Sequence, residues 1–219
     1  SVAQAWLSSP DSNKGLLLKG EASTSVEYNL ASFEHETAAL RPVLAVNYSV
    51  PTSTPSPTVA ATPTRLPNSA SLSTTDDTYI SSWLPDGQFG QEAQLWVRQG
   101  DVIASLLRFD LSTLPSNAVV QQAHLQVYVV ERSNANTLTI SAYRVLRYWD
   151  GLQATWQRAL TNQTWSTAGC NGAGTDRLAD PSRTVTLDAV GHWVTLDLTD
   201  MVQYWAAHPG ENYGLALKG

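Results

Sequence analysis

The sequence has little cysteine, little charge and no long apolar runs. Cys170 is the single cysteine among 219 residues, so no disulfide can form within the chain. Charged residues make up only 15% of the chain and the formal net charge is −6, which leaves little basic surface for a phosphate backbone. No apolar stretch approaches the 18 residues or so that a membrane-spanning helix needs. We therefore expect no disulfide framework, no nucleic-acid partner and no membrane span.

Motifs that carry catalysis are also missing. The chain has no nucleophile elbow, no His-Glu-x-x-His motif and no glycine-rich phosphate loop. Its four histidines are scattered along the sequence and form no cluster with the single cysteine. We therefore predict that the protein is not an enzyme and has no catalytic residue and no cofactor.

One weak calcium site can be proposed from the sequence. Asp76 and Asp77 precede a strand, and with Glu92 they would offer the oxygen ligands that Ca²⁺ prefers. The simpler alternative is a turn in which Asp77 accepts hydrogen bonds from nearby backbone.

Alternation of apolar and polar residues predicts a fold made of strands. In QAHLQVYVV the apolar residues fall on every second position, and the same holds for TLTIS, RTVTLD, WVTLDL and SVEYNL. This period is typical of antiparallel strands that are buried on one face. Clusters of turn residues, such as LPDGQFG and CNGAG, separate the strands. One short helix is predicted near residues 199–207, capped by Thr199 or Asp200 and stopped by Pro209-Gly210. The pattern predicts a β-sandwich or jelly roll.

A segment of about twenty residues occurs twice. Residues 1–20 and 200–219 agree in about half of their positions at a constant offset of 199, as from Gln4 to Gln203, and both end in a Gly-Leu-x-Leu-Lys-Gly run. Self-similarity at a fixed period is the signature of a repeat architecture. We therefore expect a tandem or filamentous array, with the chain beginning near the end of one domain and stopping at the same point of a second.

A Pro/Thr-rich linker divides the chain. Residues 51–67 hold five prolines between threonines, which excludes a helix or a central strand and favours an extended spacer of roughly 50 Å. Hydroxyls beside prolines in such a segment are favoured O-glycosylation acceptors, with a bare flexible spacer as the alternative. The candidates are Thr52, Ser53, Thr54, Ser56, Thr58, Thr62 and Thr64. Asn47 and Asn162 begin N-glycosylation sequons.

The runs DTYISSWLPDGQFG, LLRFDLSTLPSNAVVQQAHLQVYV, YRVLRYWDGLQATW and WVTLDLTDMVQYW, closed by GLALKG, resemble the DNRLRE-type domain. That domain is also classed as carbohydrate-binding module family 96, with relatives in the disaggregatase repeats of archaea. The resemblance covers residues 74–219. It implies a non-catalytic jelly-roll sandwich that occurs in tandem on secreted and cell-surface proteins, where some members bind glycans.

The resemblance also implies a division into three parts. Residues 1–50 look like the closing strands of a preceding copy, residues 51–70 form the linker, and residues 71–219 form a sandwich that lacks its own closing strands. The missing strands would leave an apolar edge open. Because the second Gly-Leu-x-Leu-Lys-Gly strand would be redundant in a fold-back, we expect Val26, Tyr28 and Leu30 to be donated to another domain.

The sequence leaves two functions open. The first is a structural repeat of an extracellular filament or cell-surface stalk, whose partners are copies of itself. The alternative is a carbohydrate-binding module that tethers a cell or an enzyme to polysaccharide. Flat indole rings stack on the apolar face of a sugar, and Trp83 and Trp165, both in polar loops, are the candidates.

Overall fold

The structure is a computed structural model that describes residues 25–50 and 68–219. The described chain is mostly strand, with one α-helix, α1 (Thr199–Ala207), and two single turns of 3-10 helix, at Ala38–Leu40 and Pro209–Glu211. The strands are β1 (Glu27–Ala31), β2 (Val43–Ser49), β3 (Asn68–Ser81), β4 (Gln94–Arg98), β5 (Ile103–Phe109), β6 (Val119–Arg132), β7 (Leu138–Arg144), β8 (Arg158–Leu160), β9 (Gln163–Thr164), β10 (Arg183–Leu187), β11 (His192–Asp197) and β12 (Leu215–Lys218).

Six strands close into a barrel-like ring in the order β3-β5-β4-β1-β6-β2, with β2 pairing back to β3. Every pairing in the ring is antiparallel. On the edge of β5 opposite β3, the sheet continues through β12 and β7 to β10. Strand β11 pairs with β6, and β8 and β9 form a separate hairpin. The all-β prediction is confirmed: ten of the described strands belong to one sheet, whose six-stranded ring is barrel-like, while the jelly-roll arrangement stays a prediction.

The main core joins residues of the ring with residues of β7, β10, β11, β12 and α1, and it follows the alternation in the sequence. Ala123, Leu125, Val127 and Val129 of β6 are fully buried, while the residues between them face outward. Burying one such aliphatic side chain stabilises the fold by roughly 1.5–3 kcal/mol. Val185 of β10 follows the predicted alternation, since it is partly buried and packs against the core between the exposed Thr184 and Thr186.

Helix α1 covers one end of the core where the sequence predicts it. Met201 and Trp205 lie one turn apart and are both buried. The predicted cap is wrong, because α1 has no side-chain cap and Thr199 is already its first residue. The Thr199 hydroxyl instead donates to the Asp197 carboxylate at 2.6 Å and accepts from the Ala123 amide at 3.0 Å, which ties the start of the helix to β6.

The two N-terminal strands close the barrel of their own chain. Strand β1 pairs with β4 and β6, and β2 pairs with β3 and β6. Val26, Tyr28 and Leu30 are fully buried in the same core as Leu215 and Leu217. The expectation that redundancy prevents fold-back is therefore wrong for the single chain, because residues 25–50 fill the open edges of β3, β4 and β6.

Strand β3 begins before the predicted domain start at residue 71. Asn68, Ser69 and Ala70 already pair with Tyr48, Asn47 and Val46 of β2. The Pro/Thr segment and its seven O-glycosylation candidates lie outside the described residues, as does the first copy of the repeated segment. Within the described ranges, no helix has the length and apolar character needed to cross a bilayer.

Candidate functional site

A row of aromatic rings lies on the outside of β4 and the adjoining end of β3. In β4, Leu95 and Val97 point into the core, so Gln94, Trp96 and Arg98 share the opposite face. The Trp96 ring stacks on Tyr79 of β3, with ring centroids 5.3 Å apart and planes 5° apart. Tyr79 in turn stacks on Phe89 at 4.1 Å and 11°. Three rings are thereby held nearly parallel by two strands and one loop.

Trp83 lies against Arg98, which shares a face of β4 with Trp96. The Trp83 side chain is 57% exposed, compared with 48% for Tyr148 and 38% for Trp193. The Arg98 guanidinium lies 4.6 Å from the centre of the Trp83 ring, within the range of a cation–π contact. Arg98 also lies 3.5 Å from the Glu27 carboxylate of β1. We call Tyr79, Trp83, Phe89, Trp96 and Arg98 the open aromatic face.

Strand β1 places polar groups beside the rings. Its register sets Glu27 opposite Arg98 and Asn29 opposite Trp96. The Asn29 amide donates to the Gln94 side-chain carbonyl at 3.1 Å, while the Asn29 carbonyl oxygen is buried and has no hydrogen-bond partner. Hydrogen-bonding groups therefore lie along one side of the open aromatic face.

Burial raises the pKa of the Tyr79 hydroxyl to about 12, and the neighbouring carboxylates of Glu92 and Glu27 contribute to the rise. The phenol therefore stays protonated at every physiological pH. Tyr79 is only 7% exposed and stacks with both Phe89 and Trp96, so it supports the row of rings and offers no open ring face of its own.

The Pro-Asp-Gly turn that the sequence predicts positions Trp83. The Gly87 amide donates to the Leu84 carbonyl at 2.9 Å and closes the turn. A Cβ on Gly87 would come within 2.6 Å of the Phe89 ring, so a side chain at this position would displace that ring. Asp86 forms a 2.5 Å ion pair with Arg158 of β8. The turn is thus fixed to the body on one side and packed against Phe89 on the other.

The opposite side of the β3–β5 pair is covered by loops and carries a second set of rings. Trp149 and Trp165 are 0% and 4% exposed and pack with Ile80, Leu106 and Cys170. The Trp165 indole donates to the Thr155 carbonyl at 2.9 Å. The expectation that the Trp165 ring faces a glycan is therefore wrong, because both faces of the ring are enclosed. We call this set the closed tryptophan layer.

Asp176 organises the loops of the closed tryptophan layer. It is fully buried and accepts hydrogen bonds from the backbone amides of Ser166, Thr167 and Gly172 at 2.8–2.9 Å. Arg147 approaches the same carboxylate at 3.3 Å. Sequence reasoning missed this residue, since a single aspartate in a loop has no pattern that marks it.

The three calcium candidates do not converge. Asp76 lies 2.6 Å from the Arg108 guanidinium and accepts from the Gly151 amide, whereas Asp77 is buried on the other face of β3 and accepts from the Phe33 amide at 2.8 Å. Glu92 lies near Tyr79. In the part of the chain that the structure describes, no group of three metal-ligating side chains is suited to hold an ion.

The two sequons lie at different places on the surface. Asn162 is exposed between β8 and β9. Asn47 is half-buried on β2, where its amide approaches the Gln122 side-chain carbonyl at 3.5 Å. Both stay predictions as glycosylation sites.

A cavity of about 390 Å³ lies away from the open aromatic face, between the β5–β6 loop and α1. Its only aromatic wall is Trp205, which is 1% exposed and so offers no free ring face. Leu111, Leu114 and Pro115 supply much of the rest. Sugar stacking needs an accessible ring, so we place the candidate site on the open aromatic face.

Comparison with known proteins agrees with this geometry. Residues 68–159 match the model of carbohydrate-binding module family 96. The matched range contains every residue of the open aromatic face and supports the carbohydrate-binding part of the predicted resemblance. No curated protein matches the chain. A carbohydrate-binding module binds its ligand without a chemical step, which agrees with the prediction that the chain is not an enzyme.

Proposed function

We propose that the protein is a carbohydrate-binding module and that the open aromatic face is its binding site. The observation that carries the proposal is the 57% exposed Trp83 ring beside Arg98, which shares a face of β4 with Trp96 of the Trp96–Tyr79–Phe89 stack. The family match over residues 68–159 supports it. An extracellular or cell-surface location follows from such a function, because polysaccharides occur there.

The residues of this face have separate roles in the proposal. The apolar side of a pyranose ring packs on Trp83, whose ring is held in place by Arg98. Arg98 and Glu27 then donate to and accept from the ring hydroxyls, and Arg98 can also pair with the carboxylate of a uronic acid.

Calorimetric titration with neutral and uronate-containing polysaccharides tests the proposal. We expect Trp83→Ala to weaken binding roughly five- to tenfold, since one aromatic contact contributes about 1 kcal/mol. Trp193→Ala is the matched control, because Trp193 is also exposed but lies on β11 beside Tyr128. Equal losses in the two variants, or no binding to any polysaccharide, would contradict the proposed site.

A second candidate function is a repeat unit of an extracellular fibre. The observation that favours it is the 20-residue segment that recurs at an offset of 199. Sugars on the Pro/Thr segment would keep such a fibre extended and protect it from proteases. Electron micrographs of the native material would show fibres if this function holds, and intact mass spectrometry would show the sugars. Single particles with the mass of the bare polypeptide would exclude both.

A further inference from the structure

Strand β12 ends in a buried lysine. In β12, Leu215 and Leu217 point into the main core, so Ala216 and Lys218 share the opposite face, toward the closed tryptophan layer. Lys218 is only 4% exposed. An amine loses its hydration when it is buried this far, so a lysine is rare in a protein interior unless its N–H groups find partners. The groups around Lys218 therefore determine what its amine can do.

Three oxygen atoms surround the Lys218 amine. Its Nζ donates to the Asp101 carboxylate at 2.7 Å, to the Gly169 carbonyl at 2.6 Å and to the Asn171 side-chain carbonyl at 2.9 Å. Asp101 lies on the turn between β4 and β5, and the other two residues lie on the loop between β9 and β10. An amine, a carboxylate and a carboxamide thus meet from three separate parts of the chain.

The backbone adopts unusual conformations where these groups meet. Asp101 and Cys170 are the two non-glycine residues with positive φ in the part of the chain that the structure describes, at 57° and 56°. Gly169 has a φ of 82°, and a Cβ there would come within 2.8 Å of the Asn171 Nδ2. Left-handed backbone at non-glycine residues is strained and clusters at functional sites. Here Asp101 contacts the Lys218 amine, and Cys170 lies between the two loop residues that also contact it.

The Asn171 carboxamide is oriented for attack by this amine. Its Nδ2 donates to the Ala168 carbonyl at 3.0 Å, which turns Oδ1 toward Lys218. Since a C=O bond is about 1.2 Å long, Nζ lies within about 4 Å of the Asn171 Cγ. Nucleophilic attack proceeds from about 3–3.5 Å, so only a small movement separates the two groups from reaction.

Burial also favours the nucleophilic form of Lys218. It lowers the pKa of the Lys218 amine, while the Asp101 carboxylate acts in the opposite direction. A lower pKa raises the fraction of neutral amine, which is the form that attacks a carbonyl carbon. Burial raises the pKa of the neighbouring Cys170 thiol to about 12, so that thiol stays protonated and does not compete as a nucleophile.

We propose that Lys218 and Asn171 form an amide cross-link within the chain, with Asp101 as the proton carrier. Asp101 takes a proton from the Lys218 ammonium, and the neutral Nζ attacks the Asn171 Cγ. The Nζ–Cγ bond forms and the Cγ–Nδ2 bond breaks. Asp101 gives its proton to the departing nitrogen and accepts the proton that Nζ loses, and the ammonia carries this last proton away as ammonium. No oxidant or other reactant is needed, and the inference is independent of glycan binding.

A competing reaction of Asn171 is restrained in the fold. Asn171 is followed by Gly172, whose backbone nitrogen could attack the same carboxamide and also release ammonia. The Gly172 amide, however, donates to the buried Asp176 carboxylate at 2.9 Å. This hydrogen bond engages the competing nitrogen and leaves the carboxamide to Lys218.

Mass spectrometry of the denatured protein tests the cross-link. We expect an intact mass about 17 Da below that of the sequence, which is the mass of one ammonia. After trypsin, residues 159–177 and 184–219 should appear as one linked pair of peptides, because trypsin does not cut at a modified Lys218. An unchanged intact mass would mean that Lys218 is only a hydrogen-bonded anchor and would overturn the proposal.

Two variants separate the cross-link from cyclisation onto Gly172. Lys218→Arg keeps a cation but removes the nucleophile, and Asp101→Asn removes the proton carrier, so both should have the full mass. The matched control is Asp86→Asn, which removes an aspartate from an exposed ion pair and must keep the loss of ammonia. Loss of ammonia from Lys218→Arg would show cyclisation at Asn171 and contradict the cross-link. Loss of ammonia from Asp101→Asn would contradict the role of Asp101.

Acetylation of amines in denaturant gives a second readout that does not depend on the folding of a variant. Lys14 and Lys19 serve as internal controls in the same chain and should be acetylated completely. Lys218 should stay unmodified, because its nitrogen is part of an amide. Complete acetylation of Lys218 would contradict the proposal.

Discussion

Trp83 and Trp165 look alike in the sequence and have opposite environments in the fold. Both stand in polar loops that flank the β3–β5 pair, yet Trp83 is 57% exposed and Trp165 is 4% exposed. On the open side only a cation covers the ring. On the closed side, loops held by Asp176 enclose Trp165 completely. Whether an indole is exposed thus depends on which loops pack over it in the fold, and not on the residues next to it in the chain.

This difference in exposure predicts which tryptophan contributes to stability and which is free to bind a ligand. A ring enclosed on both faces stabilises the fold through burial, whereas an open ring keeps its apolar face for a ligand. Substitutions on the closed tryptophan layer should therefore lower the free energy of unfolding, and substitutions on the open aromatic face should lower affinity.

The largest effect is expected at Trp165. Trp165→Ala should lower the free energy of unfolding by about 3–5 kcal/mol, because it leaves a cavity and removes the hydrogen bond to the Thr155 carbonyl. Trp83→Ala should lower it by less than about 1 kcal/mol. Urea unfolding followed by circular dichroism measures both. Similar losses in the two variants would mean that the open and closed environments do not differ as described.

A smaller effect is expected at Asp176. Asp176→Ala should cost about 2–4 kcal/mol, because three backbone amides and Arg147 lose a buried acceptor. The matched control is Asp86→Ala, whose ion pair with Arg158 is exposed and should contribute about 0.5 kcal/mol or less. Thermal melts of both variants test this ranking. A loss at Asp86 as large as that at Asp176 would refute the assigned role of Asp176.

The pH dependence of stability tests the burial of the Asp77 carboxyl on β3. Burial raises the pKa of the Asp77 carboxyl to about 8, with Glu34 adding to the rise against the opposing hydrogen bond from the Phe33 amide. An unfolded aspartate titrates near 4, so the folded state holds the extra proton and stability falls as the pH rises from about 4 to about 8. Asp77→Asn, which stays neutral, should show a shallower decline of Tm over this range. Parallel declines would contradict a buried, protonated Asp77.

Much of the fold was predictable because period and burial are local in sequence. The alternation in QAHLQVYVV gives the buried face of β6, and Met201 and Trp205 give that of α1. Closure of the ring was not predictable, because it depends on β4 meeting β5 at the single pair Arg98–Ile103. The same limit applies to β1 and β2, whose partners are set by which edges remain open.

The candidate site was predicted only in part. Trp83 was identified from its turn, but Tyr79, Phe89 and Arg98 come from two strands and a loop that only the fold brings together. The alternation in LWVRQ was a usable signal, since it places Trp96 and Arg98 on one face. The exposure of a loop tryptophan has no such signal.

Oxidation of individual tryptophans in the presence of ligand tests the proposed binding site most directly. Trp83 and Trp193 are both exposed and should react with a mild indole oxidant in the free protein, whereas Trp149 and Trp165 should resist it. Peptide mass spectrometry would then compare the extent of oxidation with and without a saturating polysaccharide. We predict that polysaccharide protects Trp83 severalfold and leaves Trp193 unchanged. Equal protection of Trp83 and Trp193, or none at Trp83 while polysaccharide is bound, would contradict a binding site on the open aromatic face.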